Sequence, residues 1–523
     1  MQCYSKEKPF DFLPNEILVM IMKQMDISSL MKFIKTNKNT NELFKQRKNE
    51  YLLLAYNISS HNNLLYCYID YNSTTKEKIT TYYERIYNEE RITVTNTEVK
   101  ELPLLPNVER LNCVNNQLTR LPSGLSSLKF LRCWRGKLRS LPNGMVNIKN
   151  IECCNNQITS LPNDISSLLN LKCYKNKLIS LPENMVNLTD LRCGDNQLTK
   201  LPENVKSLGY LDCSDNQITE LPENMVRLHY LECQNNQLTK LPGNMNSIKT
   251  VYCGKNQLTR LPQDMVKLEI LGCQNNQLKS LPNDIKSSIL HLYCYNNNLT
   301  SLPDGMINLK TLICRNNRLT KLPEDMKFLD YLDCSDNQIT ELPEHMRSLE
   351  YLDCRNNQIT ELPNGMNSIK KLYCRNNQLT RLPDGMSSLK ILGCDDNRLT
   401  RLPRKLTSLE YLNCDNNQLD RLSDGMNSLE ELYCQNNQLT RLLENMTSLE
   451  KLFCRNNQLD RLPDGMNSLE TLNCNNNQLT SLPNDLESLE KLDCENNQLT
   501  KLPDYIKNKE DINIHWNNNP GNF

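Results

Sequence analysis

The segment LPENMVNLTDLRCGDNQLTK, residues 181–200, returns with small changes at intervals of twenty residues. Cysteine marks the register, standing at every twentieth position from 113 to 273 and, after one inserted residue, from 294 to 494. Twenty of the 23 cysteines keep this spacing, and leucine, proline, methionine and asparagine recur at fixed offsets from them. Self-similarity at such a period predicts a solenoid in which each repeat packs on the next.

The first half of each repeat reads as a short strand. Leu191 and Cys193 stand on either side of Arg192, which is the period-two pattern of a strand with one buried face. We therefore expect leucine and cysteine to point inward. Asn196 follows three residues after the cysteine, and asparagine holds this position in nineteen of the twenty repeats, Gly136 being the exception. A buried asparagine there can pair with backbone groups freed where the chain leaves the strand.

The second half of each repeat returns the chain to the start of the next strand. Leu201 is followed by Pro202, which fixes φ and cannot donate to a sheet, so strand pairing ends there. Methionine and leucine then follow at a spacing of three, as in Met225 and Leu228, and this favours a turn of α- or 3₁₀-helix. Because a repeat has only twenty residues, we expect little room for longer helices.

Composition limits the kinds of function. Lysine plus arginine equals aspartate plus glutamate at 61 each, so no overall field gathers nucleic acid or anionic lipid. The N-terminus lacks the pattern of a secretion signal, and no run approaches the roughly 18 apolar residues that a membrane span requires. We expect a soluble protein made in the cytosol, with neither nucleic acid nor membrane as a partner.

The cysteine column has two interpretations, a set of metal or redox ligands and a packed core. Zinc needs four ligands that converge tetrahedrally, which a straight column of strand residues does not provide, and the five histidines share no ligand spacing with the cysteines. Counting in twenties also places Ile514 in the cysteine register and Asn517 in the asparagine register of a closing strand. We therefore expect buried, reduced cysteines that serve as packing, with no metal and no cofactor.

The strand half of the repeat resembles the leucine-rich-repeat family, whose motif LxxLxLxxNxL is matched with cysteine at the third leucine over roughly residues 92–523. The resemblance implies an α/β solenoid, a horseshoe of about 20 twenty-residue repeats with a parallel sheet on its concave face and cap strands at both ends. The near-identical, asparagine-rich repeats also resemble those of proteins encoded by giant DNA viruses of amoebae. That resemblance implies action in the host cytoplasm.

Side chains three and one before each cysteine, and one after it, project from the sheet and vary while the frame stays fixed. Tyrosine and arginine, which are enriched at protein interfaces, recur among them. The alternative is that tyrosine favours strands and stacks there for stability. We expect a protein target to bind where such residues crowd three successive repeats. The predicted binding residues are Tyr331, Asp333, Tyr351, Asp353, Arg355, Tyr373 and Arg375.

The N-terminal segment has a different periodicity. In FDFLPNEILVMIMKQMDISSLMKF, residues 10–33, apolar residues form a helical stripe and Pro14 suits a first helical position. This run resembles the F-box, with Leu43 and Phe44 near the point where that family often has tryptophan. The resemblance implies a small all-helical domain over residues 1–45. A mixed helical connector over residues 46–91 would join it to the solenoid.

In the F-box family, exposed apolar residues dock on the Skp adaptor of a cullin-RING ubiquitin ligase. Carried over by position, the adaptor-binding residues are Leu13, Pro14, Ile17, Leu18, Ile21 and Leu30. The alternative is a helical cap that merely shields the first repeat.

The expected activity is binding rather than catalysis. The sequence has no glycine-rich phosphate loop, no paired-carboxylate motif and no nucleophilic serine motif, so we predict no catalytic residues. The leading hypothesis is a monomeric protein-binding adaptor, a substrate receptor that recruits targets to a cullin-RING ubiquitin ligase. The alternative is a non-catalytic interaction scaffold that does not bind the adaptor.

Overall fold

The structure is a computed structural model, and it describes only part of the chain. The described residues are 70–71, 78–79, 91–93, 95, 102, 105, 107–509 and 512–521. They fall into two compact units, one ending at Ser247 and the other beginning at Ile248. The F-box-like segment and its six predicted adaptor-binding residues lie outside the described residues. The domain boundaries proposed from the sequence therefore stay predictions.

The first unit contains two short strands followed by a parallel sheet. Strands β1, Asp70–Tyr71, and β2, Lys78–Ile79, pair antiparallel within the predicted connector. From β3 onward each strand pairs in parallel with the strand of the next repeat. These strands are β3 Arg91–Thr93, β4 Arg110–Asn112, β5 Phe130–Arg132, β6 Asn150–Glu152, β7 Asn170–Lys172, β8 Asp190–Arg192, β9 Tyr210–Asp212 and β10 Tyr230–Glu232.

The second unit is a longer parallel sheet of the same kind, in which successive strands pair with a shift of one repeat, as Leu352 with Leu372. Its strands are β11 Thr250–Tyr252, β12 Ile270–Gly272, β13 His291–Tyr293, β14 Thr311–Ile313, β15 Tyr331–Asp333, β16 Tyr351–Asp353, β17 Lys371–Tyr373, β18 Ile391–Gly393, β19 Tyr411–Asn413, β20 Glu431–Tyr433, β21 Lys451–Phe453, β22 Thr471–Asn473, β23 Lys491–Asp493 and β24 Asn513–His515. The predicted parallel-strand solenoid of about 20 turns is confirmed, and each turn is called a coil below.

The alternation predicted for the strands is present. In β15 the central Leu332 is fully buried, whereas Tyr331 and Asp333 are half-buried on the opposite face. Pairing continues beyond the three strand residues, because the Cys354 backbone N–H donates to the Tyr373 carbonyl at 2.8 Å. Strands of three residues are therefore enough to hold neighbouring coils together, because further backbone hydrogen bonds link the coils beyond each strand.

The cysteines form part of the core, as the packing interpretation predicts. All 21 described cysteines are buried and none forms a disulfide. Burial raises the pKa of most of these thiols, for example to about 12 for Cys253 and Cys294, because the thiolate loses its hydration. Among the described residues no cluster of histidine, cysteine and acidic side chains suited to a metal ion occurs.

The buried asparagine completes the interior. The Asn357 side-chain amide donates to the carbonyls of Cys354 at 3.1 Å and Arg355 at 3.2 Å, and to that of Cys334 in the preceding coil at 3.0 Å. Its Oδ1 accepts from the Ile339 N–H at 2.9 Å. The prediction that asparagine pairs with freed backbone groups is confirmed, and the same side chain also joins two coils.

A second polar ladder, which was not predicted from the repeat pattern, runs along the outside. Asn356, two residues after Cys354, adopts the left-handed conformation with φ of 55°. Its side-chain amide donates to Asp336 of the preceding coil at 2.7 Å and accepts from Asn376 of the next at 2.9 Å. Asparagine and aspartate tolerate this conformation better than other non-glycine residues, which explains why they recur at this position.

The return segments contain little helix. The Leu349 N–H donates to the Met346 carbonyl at 3.2 Å, so methionine and leucine bracket a single hydrogen-bonded turn rather than a turn of helix. Within residues 107–509 the exceptions are a 3₁₀-helix at Asn283–Ile285, in the repeat with the inserted residue, and α1, Asp504–Lys507. No helix in the described parts of the chain has the length and apolarity needed to cross a membrane.

One expectation at the C-terminal end was wrong. In β24, Ile514 pairs with Leu492, so it occupies the leucine register and not the cysteine register. The asparagine register belongs to Asn519, which donates to the Cys494 carbonyl at 3.0 Å, and not to Asn517. The final return segment includes α1 and is two residues longer than the usual one, so counting in twenties placed both residues wrongly.

Candidate functional site

Each coil presents three side chains on the outer side of its strand, at three and one before the cysteine and one after it. We call this surface the strand face. The predicted binding residues lie together on β15, β16 and the adjoining β17, where Tyr331 pairs with Tyr351 and Asp333 with Asp353. We call them the strand-face cluster. Its members are Tyr331, Asp333, Tyr351, Asp353, Arg355, Tyr373 and Arg375.

The tyrosines of the cluster form a continuous aromatic surface. The rings of Tyr331 and Tyr351 stack with centroids 4.2 Å apart and an interplanar angle of 2°. The Tyr373 ring lies 5.9 Å from that of Tyr351, tilted by 53°. Burial, followed by the hydrogen bond with Tyr331, raises the pKa of Tyr351, so its hydroxyl stays protonated at neutral pH. The surface therefore combines apolar area with hydroxyl groups, as interface aromatics do.

A buried aspartate fixes the central arginine. The Arg355 Nη2 lies 2.6 Å from Asp353 Oδ2, and its Nε donates to Oδ1 at 2.9 Å. The Asp353 side chain is 3% exposed whereas that of Arg355 is 47% exposed, so the guanidinium is held from below and open above. The hydrogen bonds that the guanidinium donates to Asp353 raise the pKa of Arg355. The guanidinium also lies 5.6 Å from the Tyr373 ring, within range of a cation–π contact.

The neighbouring carboxylate is held differently. The Ser335 hydroxyl donates to Asp333 Oδ1 at 2.7 Å, and Arg315 Nε lies 3.7 Å from Oδ2. Burial raises the pKa of Asp333, an effect that the bond from Ser335 opposes. The two aspartates thus have unequal partners. Asp353 accepts two hydrogen bonds from one guanidinium, whereas Asp333 accepts from a hydroxyl and has a guanidinium only at 3.7 Å.

Two acidic residues that the sequence analysis did not include complete the edge of the cluster. Arg375 Nε lies 3.1 Å from Asp395 Oδ2 and 3.0 Å from Asp396 Oδ2. Arg355 and Arg375, with residues of the outer ladder, line a polar cleft of about 400 Å³ that ends at Asp396. Asp395 directly follows its cysteine, so the positional rule that selected Arg355 and Arg375 was sufficient to find it.

The first unit has a similar stack on its own strand face. The rings of Tyr210 and Tyr230 lie 4.3 Å apart and nearly parallel, and Arg192, paired with Asp190 at 3.1 Å, lies 4.2 Å from the Tyr210 ring. Stacked tyrosines are thus a general property of these strands, as the alternative interpretation holds. The cluster adds a third ring. Both arginine–aspartate pairs are bidentate, but the Asp353 carboxylate is almost fully buried, whereas the Asp190 side chain is 23% exposed.

Comparison with known proteins identifies both parts of the chain. The family described as F-box domain matches residues 10–51. The family described as Leucine Rich repeats (2 copies) matches residues 307–345, 327–364, 347–385, 427–464 and 467–507. No curated protein matches the chain.

Solved structures resemble the repeat region. YopM from Yersinia enterocolitica WA-314 is 29% identical, with a TM-score of 0.59 over 82% of this chain and 91% of its own. YopM, a leucine-rich effector protein from Yersinia pestis, is 30% identical over 66% of this chain and 88% of its own, with a TM-score of 0.44. A TDR receptor is 20% identical, with a TM-score of 0.65 over 82% of this chain and 85% of its own, which is a likeness of fold alone.

The coil structure and these matches agree on one assignment. Each coil has one short parallel strand, a buried leucine and cysteine column, and an asparagine that closes the strand end. The F-box and the leucine-rich repeat are both protein-interaction modules. The chain is a leucine-rich-repeat protein with an F-box-like segment at its N-terminus.

Proposed function

We propose that this protein is a substrate receptor of a cullin-RING ubiquitin ligase. The F-box-like segment binds the Skp adaptor, and the strand-face cluster holds the target protein. The chain acts by binding, as a monomer in the cytoplasm, and carries out no chemistry itself. The observation that carries the proposal is the open guanidinium of Arg355, anchored by buried Asp353 beside three tyrosine rings, in a chain whose N-terminus matches the F-box.

The adaptor-binding half of the proposal rests on sequence. The F-box match over residues 10–51 contains the whole apolar stripe. Its residues Leu13, Pro14, Ile17, Leu18, Ile21 and Leu30 lie outside the described structure, so their role is carried over from the family by position.

The target-binding half rests on geometry. Arg355 is held in one orientation before any partner arrives, and pre-organisation lowers the entropy cost of binding. The tyrosine rings offer rigid apolar area beside it, which is the combination found at interface hot spots. A target that offers a carboxylate or a carbonyl to Arg355 and an apolar side chain to the rings fits this surface.

The test separates the two halves by variants of the full chain. Leu13→Ala with Pro14→Ala is expected to abolish co-purification with recombinant Skp adaptor while leaving target capture intact. Tyr351→Ala with Arg355→Ala is expected to do the reverse, at least a tenfold loss of captured target in quantitative mass spectrometry with adaptor binding unchanged. Because Arg355→Ala leaves the buried Asp353 carboxylate without its guanidinium, the melting temperature is expected to fall, and target capture is measured well below it, where circular dichroism shows the variant folded.

The matched control is Tyr210→Ala with Arg192→Ala, which removes the equivalent stack and guanidinium from the first unit. An equal loss of captured target in this control and in the cluster variant would show that the strand-face cluster is not the specific target-binding site. Target capture by a chain that never binds the adaptor would favour the interaction scaffold instead.

A further inference from the structure

A column of arginines runs along the turns of the second unit, away from the strand positions. In five successive coils the residue seven positions after the cysteine is arginine, and all five side chains are exposed. At a strand spacing of about 4.8 Å the column extends over roughly 19 Å. Its members are Arg381, Arg401, Arg421, Arg441 and Arg461.

The two ends of this arginine column are paired with acids, and the middle is not. Arg381 lies 3.3 Å from Glu361, and Arg461 lies 3.5 Å from Glu444. Arg401, Arg421 and Arg441 form no ion pair with any residue in the described part of the chain. Three adjacent guanidinium groups of one sign repel one another, so their juxtaposition is unfavourable until an anion binds.

The coil that contains Arg401 adds two further positive charges. Arg404 stands where the neighbouring coils have Asp384 and Asp424. Lys405 has a φ of 63°, in the left-handed region where the other described residues at this turn position with positive φ are glycine, asparagine or aspartate. A lysine there strains the backbone where glycine would not. This coil therefore has two cations where its neighbours have an aspartate and a residue that readily adopts the left-handed conformation.

These residues surround a cleft of about 700 Å³. Its charged lining comprises six basic side chains and two acidic ones, Asp424 and Glu444. Its floor is aliphatic, formed by leucines of three coils and by Met426 and Met446, and it includes Leu443 in place of the usual proline. No aromatic side chain lines it. The cleft is therefore cationic at its rim and apolar below.

We propose that the arginine column binds an acidic, extended segment of a protein, with carboxylate or phosphate groups facing Arg401, Arg421 and Arg441. The aliphatic floor can take the methylene groups of such a segment. Single-stranded nucleic acid fits less well, because its binding sites stack bases on aromatic side chains and this cleft has none. The column shares no residue with the strand-face cluster or the F-box-like segment, so the inference is independent of the proposed function.

The experiment measures binding of fluorescein-labelled peptides to the full chain by fluorescence anisotropy. One probe is a ten-residue glutamate peptide, a second carries phosphoserine at alternate positions, and a third is a ten-nucleotide oligothymidylate. Replacing Arg401, Arg421 and Arg441 by glutamine is expected to lower the affinity for both acidic peptides at least tenfold. The stronger of the two peptides shows whether carboxylate or phosphate is the preferred anion.

The matched control is Arg260→Gln, Lys321→Gln and Lys501→Gln, which removes the same charge from the same turn position in separate coils. This variant is expected to bind the peptides as the parent does. Equal weakening in both triple variants would reduce the effect to net charge and overturn the proposal. Preferential binding of the oligothymidylate, or no peptide binding at all, would overturn it as well.

Discussion

The interior columns and the strand face are built from the same coils but follow opposite rules. Inside, leucine, cysteine and asparagine recur almost without change, and Leu352, Cys354 and Asn357 are each 9% exposed or less. On the strand face, Tyr351, Lys371, Ile391 and other unlike residues succeed one another at one position. An interior side chain must fit the coils on both sides, whereas a face side chain has solvent above it. Repetition thus reflects packing, and variation leaves room for recognition.

The largest effect expected from this difference is on thiol reactivity. With Cys3 and Cys67 replaced by serine, only the 21 described cysteines remain, and all are buried. Burial raises the pKa of most of them, to about 12 for Cys454, where the reactive thiolate is on the order of a thousandfold scarcer than for a free thiol. Titration with a chromogenic disulfide reagent should show almost no fast reaction in native protein and full reaction in denaturant. More than a handful of fast thiols would contradict the packed interior.

The next effect concerns the interior asparagine. Asn357→Ala removes four hydrogen bonds to backbone groups, several of them buried, and is expected to lower the free energy of unfolding by about 3 kcal/mol. Urea unfolding followed by circular dichroism measures it. The neighbouring Gln358→Ala, on an exposed side chain, is the control and should change stability by less than about 0.5 kcal/mol. Equal losses of unfolding free energy in the two variants would contradict a stabilising role for the interior asparagine.

The smallest expected effect is a pH-dependent change in stability caused by Asp415, which lies on the strand face just after β19. Burial raises the pKa of Asp415 to about 6, although its oxygens accept hydrogen bonds from the Gln435 backbone and side chain. The folded chain therefore binds this proton more tightly than the unfolded chain does, and Asp415 lowers stability as pH rises from about 4 to 6. Asp415→Asn is expected to raise the melting temperature by about 1–2 °C at pH 7.5, with no difference near pH 4.

The control for this measurement is Asp420→Asn, on an exposed turn five residues away. Its melting temperature should follow that of the parent at both pH values. A difference in melting temperature between Asp415→Asn and the parent that grows as pH falls would contradict a raised pKa of Asp415.

The architecture of a single coil could be predicted from the repeat pattern. Its twenty-residue period, the inward leucine and cysteine and the asparagine that closes each strand were all readable, because each depends on residues within one repeat and on the alternation of a strand. The seven residues of the strand-face cluster were also placed on adjacent strands by counting alone. That counting failed at Ile514, where α1 lengthens the last return segment by two residues.

Which side chains contact one another depends on how the coils pack together. The outer ladder through Asn356 joins neighbouring coils. Arg355 pairs with Asp353 of its own coil, whereas Arg375 pairs with Asp395 of the next coil. At the centre of the arginine column, no acidic partner is found among the residues that the structure describes. A repeat pattern fixes which positions are neighbours. It does not fix rotamers, left-handed turns or the choice among nearby charges, because these depend on the space and partners that the adjoining coils leave.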